Sequence, residues 1–340
     1  MMRRKNRNLI VLTVTAVIAG AIFGSFIYFN IHKPYEPVES ISIGLSPNEV
    51  NTLIYVAETQ QFFASNGLGV TIIDNISGPA NIDSMLKGEV DIATAAEFVF
   101  VRKTMVDESN SVLIISAIDR VFNTHIVARK DRGISNISDI EGKIIGLSLG
   151  TSNEFHLGRF LDLNGISRNN ITLVNISPPE TPEALANGTV DAVVAWQPYI
   201  NTIENLIGGD NIITWTAQED QEQYIAAFCT NDWATAHPDL VIRFLRALAQ
   251  AEDFAIHNPA KTKTVVAGRL SYSSEYLETV WDENKFSLSL DQSLILAMEN
   301  EARWMMRNNL TNETKVPDFL NYIYPDGLMS VDPRSVNLIL

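Results

Sequence analysis

The chain writes one pattern twice, and this constrains its fold more than any other feature. Ile145-Gly146-Leu147-Ser148 repeats Ile43-Gly44-Leu45-Ser46 at an offset of 102, and Thr151-Ser152-Asn153-Glu154 echoes Ser46-Pro47-Asn48-Glu49. Asn164-Gly165-Ile166 repeats Asn66-Gly67-Leu68 at 98, and Gly188-Thr189-Val190-Asp191-Ala192 repeats Gly88-Glu89-Val90-Asp91-Ile92 at 100. Four matches in one order at nearly constant spacing argue for two lobes of related βαβαβ architecture.

Each copy reads as strand, loop, helix. The apolar run Lys143–Leu149 predicts a buried strand, and Phe155–Leu163 has helical spacing. Between them, Thr151 to Glu154 fits a T-x-x-E capping box, with Thr151, Ser152 and Asn153 as cap and first-turn residues. Ser46–Glu49 reads as a second capping box, with Pro47 at the first helical position. A strand that ends beside free helix-start amides is suited to a polar or anionic ligand. Alternation of strands and helices implies mostly parallel sheets with right-handed crossovers, whose ligands collect at the carboxyl ends of strands. The loops expected there are Ser46–Glu49, Gly78–Asn81 and Thr94–Glu97 in one lobe, and Gly150–Glu154, Ser177–Glu180 and Trp196–Tyr199 in the other.

The resulting division is a basic N-terminus with a membrane anchor or signal at 1–33, a tether at 34–40, lobe one at 41–120 and 229–340, and lobe two at 121–228. Chain crossings are expected near 117–125 and 224–230, making a hinge on which the lobes close. The amphipathic runs Leu240–Ile256 and Leu290–Asn308 are expected to pack back on lobe one.

Arg3, Arg4, Lys5 and Arg7 precede Leu9–Phe29, which has no charge over 21 residues. That predicts one N-terminal transmembrane helix with its basic flank inside and the body on the extracytoplasmic side, secreted or periplasmic if the segment is cleaved. Seven N-x-[ST] triplets, at Asn75, Asn136, Asn170, Asn175, Asn187, Asn309 and Asn312, agree with that side. The net charge is −15 although residues 1–33 hold five basic and no acidic residues, so the body is strongly acidic and nucleic acid is excluded as a partner. A single cysteine, Cys229 in the apolar run Tyr224–Cys229, leaves no disulfide framework and reads as a core residue. The five histidines, His32, His125, His156, His237 and His257, have no metal-ligand spacing, so neither a metal nor another cofactor is expected.

The run ISIGLSPNEVNTLIYVAETQQFFASNGLGVTIID, then SGPAN and LKGEVDIATAAE, resembles the periplasmic-binding-protein type 2 family. More closely, it resembles the nitrate/sulfonate/taurine and THI5-like (NMT1-like) substrate-binding proteins of ABC importers. In the second half, NTHIVARKDRGISNISDIEGKIIGLSLGTSNEFHLGRFL and GTVDAVVAWQPY fit the same pattern, and the likeness covers about residues 40–255. It implies a two-lobed receptor with a monomeric body that captures a small polar or anionic solute and hands it to a permease and ATPase. The family cleft implies ligand contacts from Ser46, Pro47, Asn48, Gly78, Pro79, Thr94, Glu97, Arg120, Gly150, Thr151, Ser152, Asn153, Trp196, Gln197 and Tyr199.

Residue chemistry fits those roles: glycines allow close backbone approach, hydroxyls and amides donate, and Trp196 and Tyr199 provide flat walls with polar tips. Glu97 opposes a bare anion if it faces the cleft, so taurine or a neutral heterocycle then suits the site better than nitrate. Arg120 either supplies positive charge or pairs with Glu97. The function expected is capture of a sulfonate-, taurine- or nitrate-like solute, without catalysis. The alternative is a THI5-like binder, or enzyme, for a pyrimidine precursor of thiamine.

Overall fold

The two copies of the repeat become two five-stranded sheets of one plan. The structure is a computed structural model that describes residues 38–106, 112–219 and 221–339. Its strands are β1 (Glu39–Leu45), β2 (Leu68–Asp74), β3 (Ile92–Ala96), β4 (Val112–Val121), β5 (His125–Arg129), β6 (Ile144–Leu147), β7 (Thr172–Asn175), β8 (Ala192–Ala195), β9 (Ile212–Thr216) and β10 (Gln223–Thr230). The main helices are α1 (Thr52–Thr59), α2 (Gly78–Leu86), α3 (Glu97–Val106), α4 (Ser152–Leu163), α5 (Thr181–Ala186), α6 (Tyr199–Ile207), α7 (Pro238–His257), α8 (Pro259–Leu270), α9 (Ser274–Val280) and α10 (Gln292–Arg307).

The sheet orders are β2-β1-β3-β10-β4 and β7-β6-β8-β5-β9. In each, three consecutive strands are parallel and the fourth position runs antiparallel to both neighbours. Both reversed strands, β5 and β10, directly follow a passage between the sheets. The repeated residues explain the shared plan. Asp91 Oδ2 accepts from the Ser42 amide at 2.7 Å, and Asp191 Oδ2 accepts from the Ile144 amide at 2.9 Å. Asn66 and Asn164 donate their Nδ2 to Phe62 and Phe160 carbonyls, each at 2.8 Å, closing the helices before β2 and β7. Gly67 and Gly165 follow in the left-handed region, at φ 71° and 68°.

One expected boundary is corrected. The return crossing was expected near 224–230, yet Gln223–Thr230 is β10, an inner strand of the first sheet. Ala226, Ala227, Phe228 and Cys229 are fully buried, and a strand so covered must pair along both edges. The connections between sheets are instead 122–124 and 217–222, stapled by the buried side chain of Gln218. Its Oε1 accepts from the Thr124 amide at 2.8 Å, and its Nε2 donates to the Val121 carbonyl at 2.9 Å.

The C-terminal helices cover the first sheet: α7 lies on α1, and α10 lies on α3. Val241, Phe244, Leu245, Leu248, Met298 and Met305 are fully buried in the same core as β1 and β3. Phe155, at the start of α4, joins that core rather than its own lobe's, stacking on Phe98 at 5.7 Å and meeting Trp304 edge-on at 5.4 Å. The described residues from Glu39 onward form one compact unit. The expected span Leu9–Phe29 lies outside the described residues, among which no helix is long and apolar enough to cross a membrane.

Candidate functional site

A cavity of about 80 Å³ opens between the two sheets at the carboxyl ends of β1, β3 and β8. Lobe one contributes Ser46, Asn48, Val50 and Asn51 after β1, Gly78, Pro79 and Asn81 at the start of α2, and Thr94, Ala95, Ala96 and Val99 across the β3–α3 junction. Asn123 and Thr124 come from the first connection, and Gln223 and Ile225 from β10. Thr151, Ser152, Asn153 and Trp196 close it from lobe two. A second chamber of about 220 Å³ shares Ser46, Asn48 and Trp196 and adds Pro47, Asp74, Asn75, Ile76, Pro179, Pro198 and Tyr199.

The two lobes build their walls in matching ways. Asn81 Nδ2 donates to the Thr94 carbonyl at 2.7 Å, and Asn153 Nδ2 donates to the Val194 carbonyl at 2.7 Å, so an asparagine amide ties each α-helix start to the third strand of its lobe. Because the carbonyl can only accept, Asn81 Oδ1 is left over, buried and without a hydrogen bond. Asn51 braces the β1 loop. Its Nδ2 reaches the Ser46 carbonyl at 2.8 Å and Asn48 Oδ1 at 3.1 Å, while its Oδ1 accepts from Thr94 Oγ1 at 2.9 Å. Gly78 packs closely: a Cβ there would stand 3.1 Å from the Ala95 Cβ, a few tenths of an ångström inside ordinary contact. Thr151 caps α4, accepting from the Asn153 amide at 3.4 Å and donating to the Ser148 carbonyl at 2.7 Å. Ser152 Oγ and Gln223 Oε1 are also buried without partners.

Among the described residues, no Asp, Glu, Lys, Arg or His lines the smaller cavity. A ligand there is held by amides, hydroxyls and apolar contact, and an oxyanion would depend on helix-start and hydroxyl donors.

Nine of the expected residues line this cavity: Ser46, Asn48, Gly78, Pro79, Thr94, Thr151, Ser152, Asn153 and Trp196. Pro47 and Tyr199 line the larger chamber instead. Four are placed in neither: one is buried in the core and three are held by protein partners. Glu97 opens α3 inside the core, where burial raises its carboxyl above the usual range and the neighbouring Glu301 carboxyl is raised as well. Arg120 pairs with Glu222 at 3.3 Å rather than with Glu97. The Gly150 amide is taken by Glu154 Oε2 at 3.1 Å. Gln197 Oε1 accepts from the Asn201 amide at 3.3 Å and from the Tyr276 hydroxyl at 3.4 Å.

The capping box expected at Ser46–Glu49 is also absent. Asn48 precedes a single 3-10 turn without capping it, and α1 starts at Thr52. Glu49 is 1% exposed, and burial, reinforced by Glu283 and only partly opposed by its own backbone amide and Asn123, pushes it up to about 8. The cavity residues missed in the sequence are chiefly Asn51, Asn81, Asn123, Thr124 and Gln223. Asn81 closes the quoted SGPAN motif, and its side-chain amide was the available signal. Asn123, Thr124 and Gln223 reach the cavity only through the position of the connections and β10.

Burial keeps two reactive side-chain types, a thiol and an imidazole, in their neutral forms. Cys229 lies inside β10, and burial pushes its thiol up to about 12. Burial also lowers His156 to about 3, keeping its ring neutral.

The NMT1/THI5-like family profile matches residues 48–262, which spans the whole of this two-sided cavity except Ser46. The chain belongs to the NMT1/THI5-like family. This NMT1/THI5-like chain is 23% identical over 228 residues to a putative binding protein of Brucella abortus, covering 66% of this chain and 69% of that one. It is 24% identical over 220 residues to a putative aliphatic sulfonates-binding protein of Bacillus subtilis, covering 64% and 65%. Its fold matches the alkanesulfonate-binding protein SsuA of Xanthomonas axonopodis pv. citri bound to MOPS, with a TM-score of 0.73 at 18% identity over 85% of this chain and 99% of that one.

Proposed function

We propose that this chain is the extracytoplasmic solute-binding receptor of an ABC importer, holding a small sulfonate- or taurine-type solute between its lobes. The observation that carries the reading is the uncharged, hydrogen-bonding cavity walled by Thr151, Ser152 and Asn153 on one side and by Ser46, Asn81 and Thr94 on the other. A solute spanning it contacts both lobes at once, so closure and binding are linked. Family membership and the names of the Bacillus and Xanthomonas relatives support the solute class. Residues 9–29 anchor the body to the membrane in this reading, and the permease and ATPase are its partners.

A second reading follows from the unpaired acceptors. Asn81 Oδ1 asks for a donor, which suits the amine of taurine and equally the N–H groups of a pyrimidine precursor of thiamine. Titration calorimetry of the full-length chain with ethanesulfonate, taurine, nitrate and an aminopyrimidine decides among these. Heat with a sulfonate or taurine supports the first reading, and heat with the pyrimidine alone supports the second. No binding at millimolar concentration, accompanied by turnover of any of them, would sink the receptor assignment.

A further inference from the structure

Behind the β1 side of the smaller cavity lies a group of buried acids that the cavity surface does not use. Glu49 sits in the 3-10 turn Glu49–Asn51, between Asn48 and Val50, both of which line the cavity. Asn123, in the first connection between the sheets, also lines the cavity and turns its side chain toward the Glu49 carboxyl. Glu49 therefore backs onto the cavity wall and the hinge together. Glu283, in the turn after α9, and Asp119 of β4 face it with two more carboxyls. Tyr55 of α1, Tyr272 before α9 and Tyr276 on α9 face it with phenols. Two cations stand beside members of this group, and each is taken: Arg120 by Glu222 at 3.3 Å and Arg269 by Asp74 at 2.6 Å. Burial pushes Glu49 up to about 8 and Glu283 up to about 7, and it raises Asp119, so Glu49 carries its proton at neutral pH.

We propose that Glu49 is a proton switch on the solute site: the cavity holds an anionic head group while this carboxyl is protonated and releases it when the carboxyl ionises. The physical reason is like-charge repulsion. The cavity offers an anion only hydroxyl, amide and helix-start donors, so a carboxylate behind its wall is not offset there. An ionised Glu49 also draws the Asn123 amide toward itself and away from a solute. By linkage, a bound anion makes the Glu49 proton harder to remove, so binding takes up protons where Glu49 titrates and weakens as pH rises through that range. This rests on the solute-receptor reading above.

Calorimetry on the full-length chain in lipid nanodiscs tests this with ethanesulfonate, whose head group stays ionised throughout the range used. Its affinity is expected to fall by about fourfold between about pH 6.5 and about pH 9. Titrations near pH 8 in two buffers of different ionisation enthalpy should show about a third of a proton taken up per solute bound. Glu49→Gln, confirmed folded by its melting curve, should keep the low-pH affinity at every pH and take up no proton. Glu97→Gln, whose carboxyl faces Glu301 in the core, should keep the slope of the unmodified chain. A pH-independent affinity without proton uptake in the unmodified chain would overturn the switch and leave the receptor reading standing. So would a slope that survives Glu49→Gln, or one lost only in Glu97→Gln. Absence of ethanesulfonate binding at every pH would overturn both.

Discussion

The indole of Trp304 lies against the Cα of Gly158: a Cβ at position 158 would stand 2.1 Å from a ring carbon. Gly158 is on α4 of lobe two and Trp304 on α10 over lobe one, so the absent side chain lets the lobes meet. Trp304 is 2% exposed and held by Phe98 at 6.1 Å and Phe155 at 5.4 Å, leaving it nowhere to move. Gly158→Ala is therefore expected to destabilise the chain by about 1–3 kcal/mol through overpacking. Denaturant unfolding measures this, and an unchanged midpoint would show that the indole swings aside.

Glu49 predicts a pH dependence. Its carboxyl stays protonated in the folded chain up to about pH 8, against an ordinary value of 4.5, because burial first and Glu283 second disfavour its charge. Asp119 and Glu283 beside it are raised too, so no neighbouring charge reverses the sign. Between pH 4.5 and 8 the native state binds the extra proton, so stability is full below the lower value and falls as pH rises toward the upper. Glu49→Gln should flatten that fall and gain roughly 2–5 kcal/mol at alkaline pH. Melting curves across this range check it, and parallel profiles for the two proteins would exclude Glu49 as the source.

Ser152 should matter for binding and little for folding. Its hydroxyl lines the cavity and has no protein partner. Ser152→Ala is expected to weaken the sulfonate or taurine by about tenfold, one hydrogen bond's worth, with the ligand-free melting temperature unchanged. Asn153→Ala should lower both, since Asn153 also ties α4 to the Val194 carbonyl at 2.7 Å. Unaltered affinity in the serine variant would reduce the residue to a helix-start position.

Glu154 joins the lobes electrostatically. It is 4% exposed and receives Arg102 of α3 at 3.1 Å, Arg168 at 3.3 Å and the Gly150 amide at 3.1 Å. Glu154→Gln leaves two half-exposed arginines that water can solvate, so a loss of about 1–3 kcal/mol in stability is expected. The loss should shrink at high salt, where the exposed ends of these pairs are screened. Urea titrations at two ionic strengths measure it; a salt-independent difference would point to packing instead.

Much of the fold is legible because its signals are local. Asn66-Gly67 and Asn164-Gly165 stop helices through their own side-chain bonds and positive φ, and Asp291 caps α10 by accepting from the Leu294 amide at 3.0 Å. The helix starts at Gly78 and Ser152 follow from residues next to them, which is why the loops carrying Gly78, Pro79, Thr151, Ser152 and Asn153 were expected at the cavity and stand there. Glu49 misled because S-x-x-E describes a cap only when the glutamate is free to turn back. Here the loop carries it into the core, and the turn is 3-10.

The amino-acid sequence by itself determined the order of strands and helices, the twofold plan and the loops at the strand ends, since each depends on contacts within a few residues. Tertiary structure alone decided which polar groups those loops turn to the cavity. Glu97 is buried in the core beside Glu301, over two hundred positions later, and Gln197 is held by Tyr276 of α9. Gln223 reaches the cavity because β10 inserts between β3 and β4. Burial and pairing across such distances leave no mark in neighbouring residues, so side-chain direction at the site is a property of the assembled sheets.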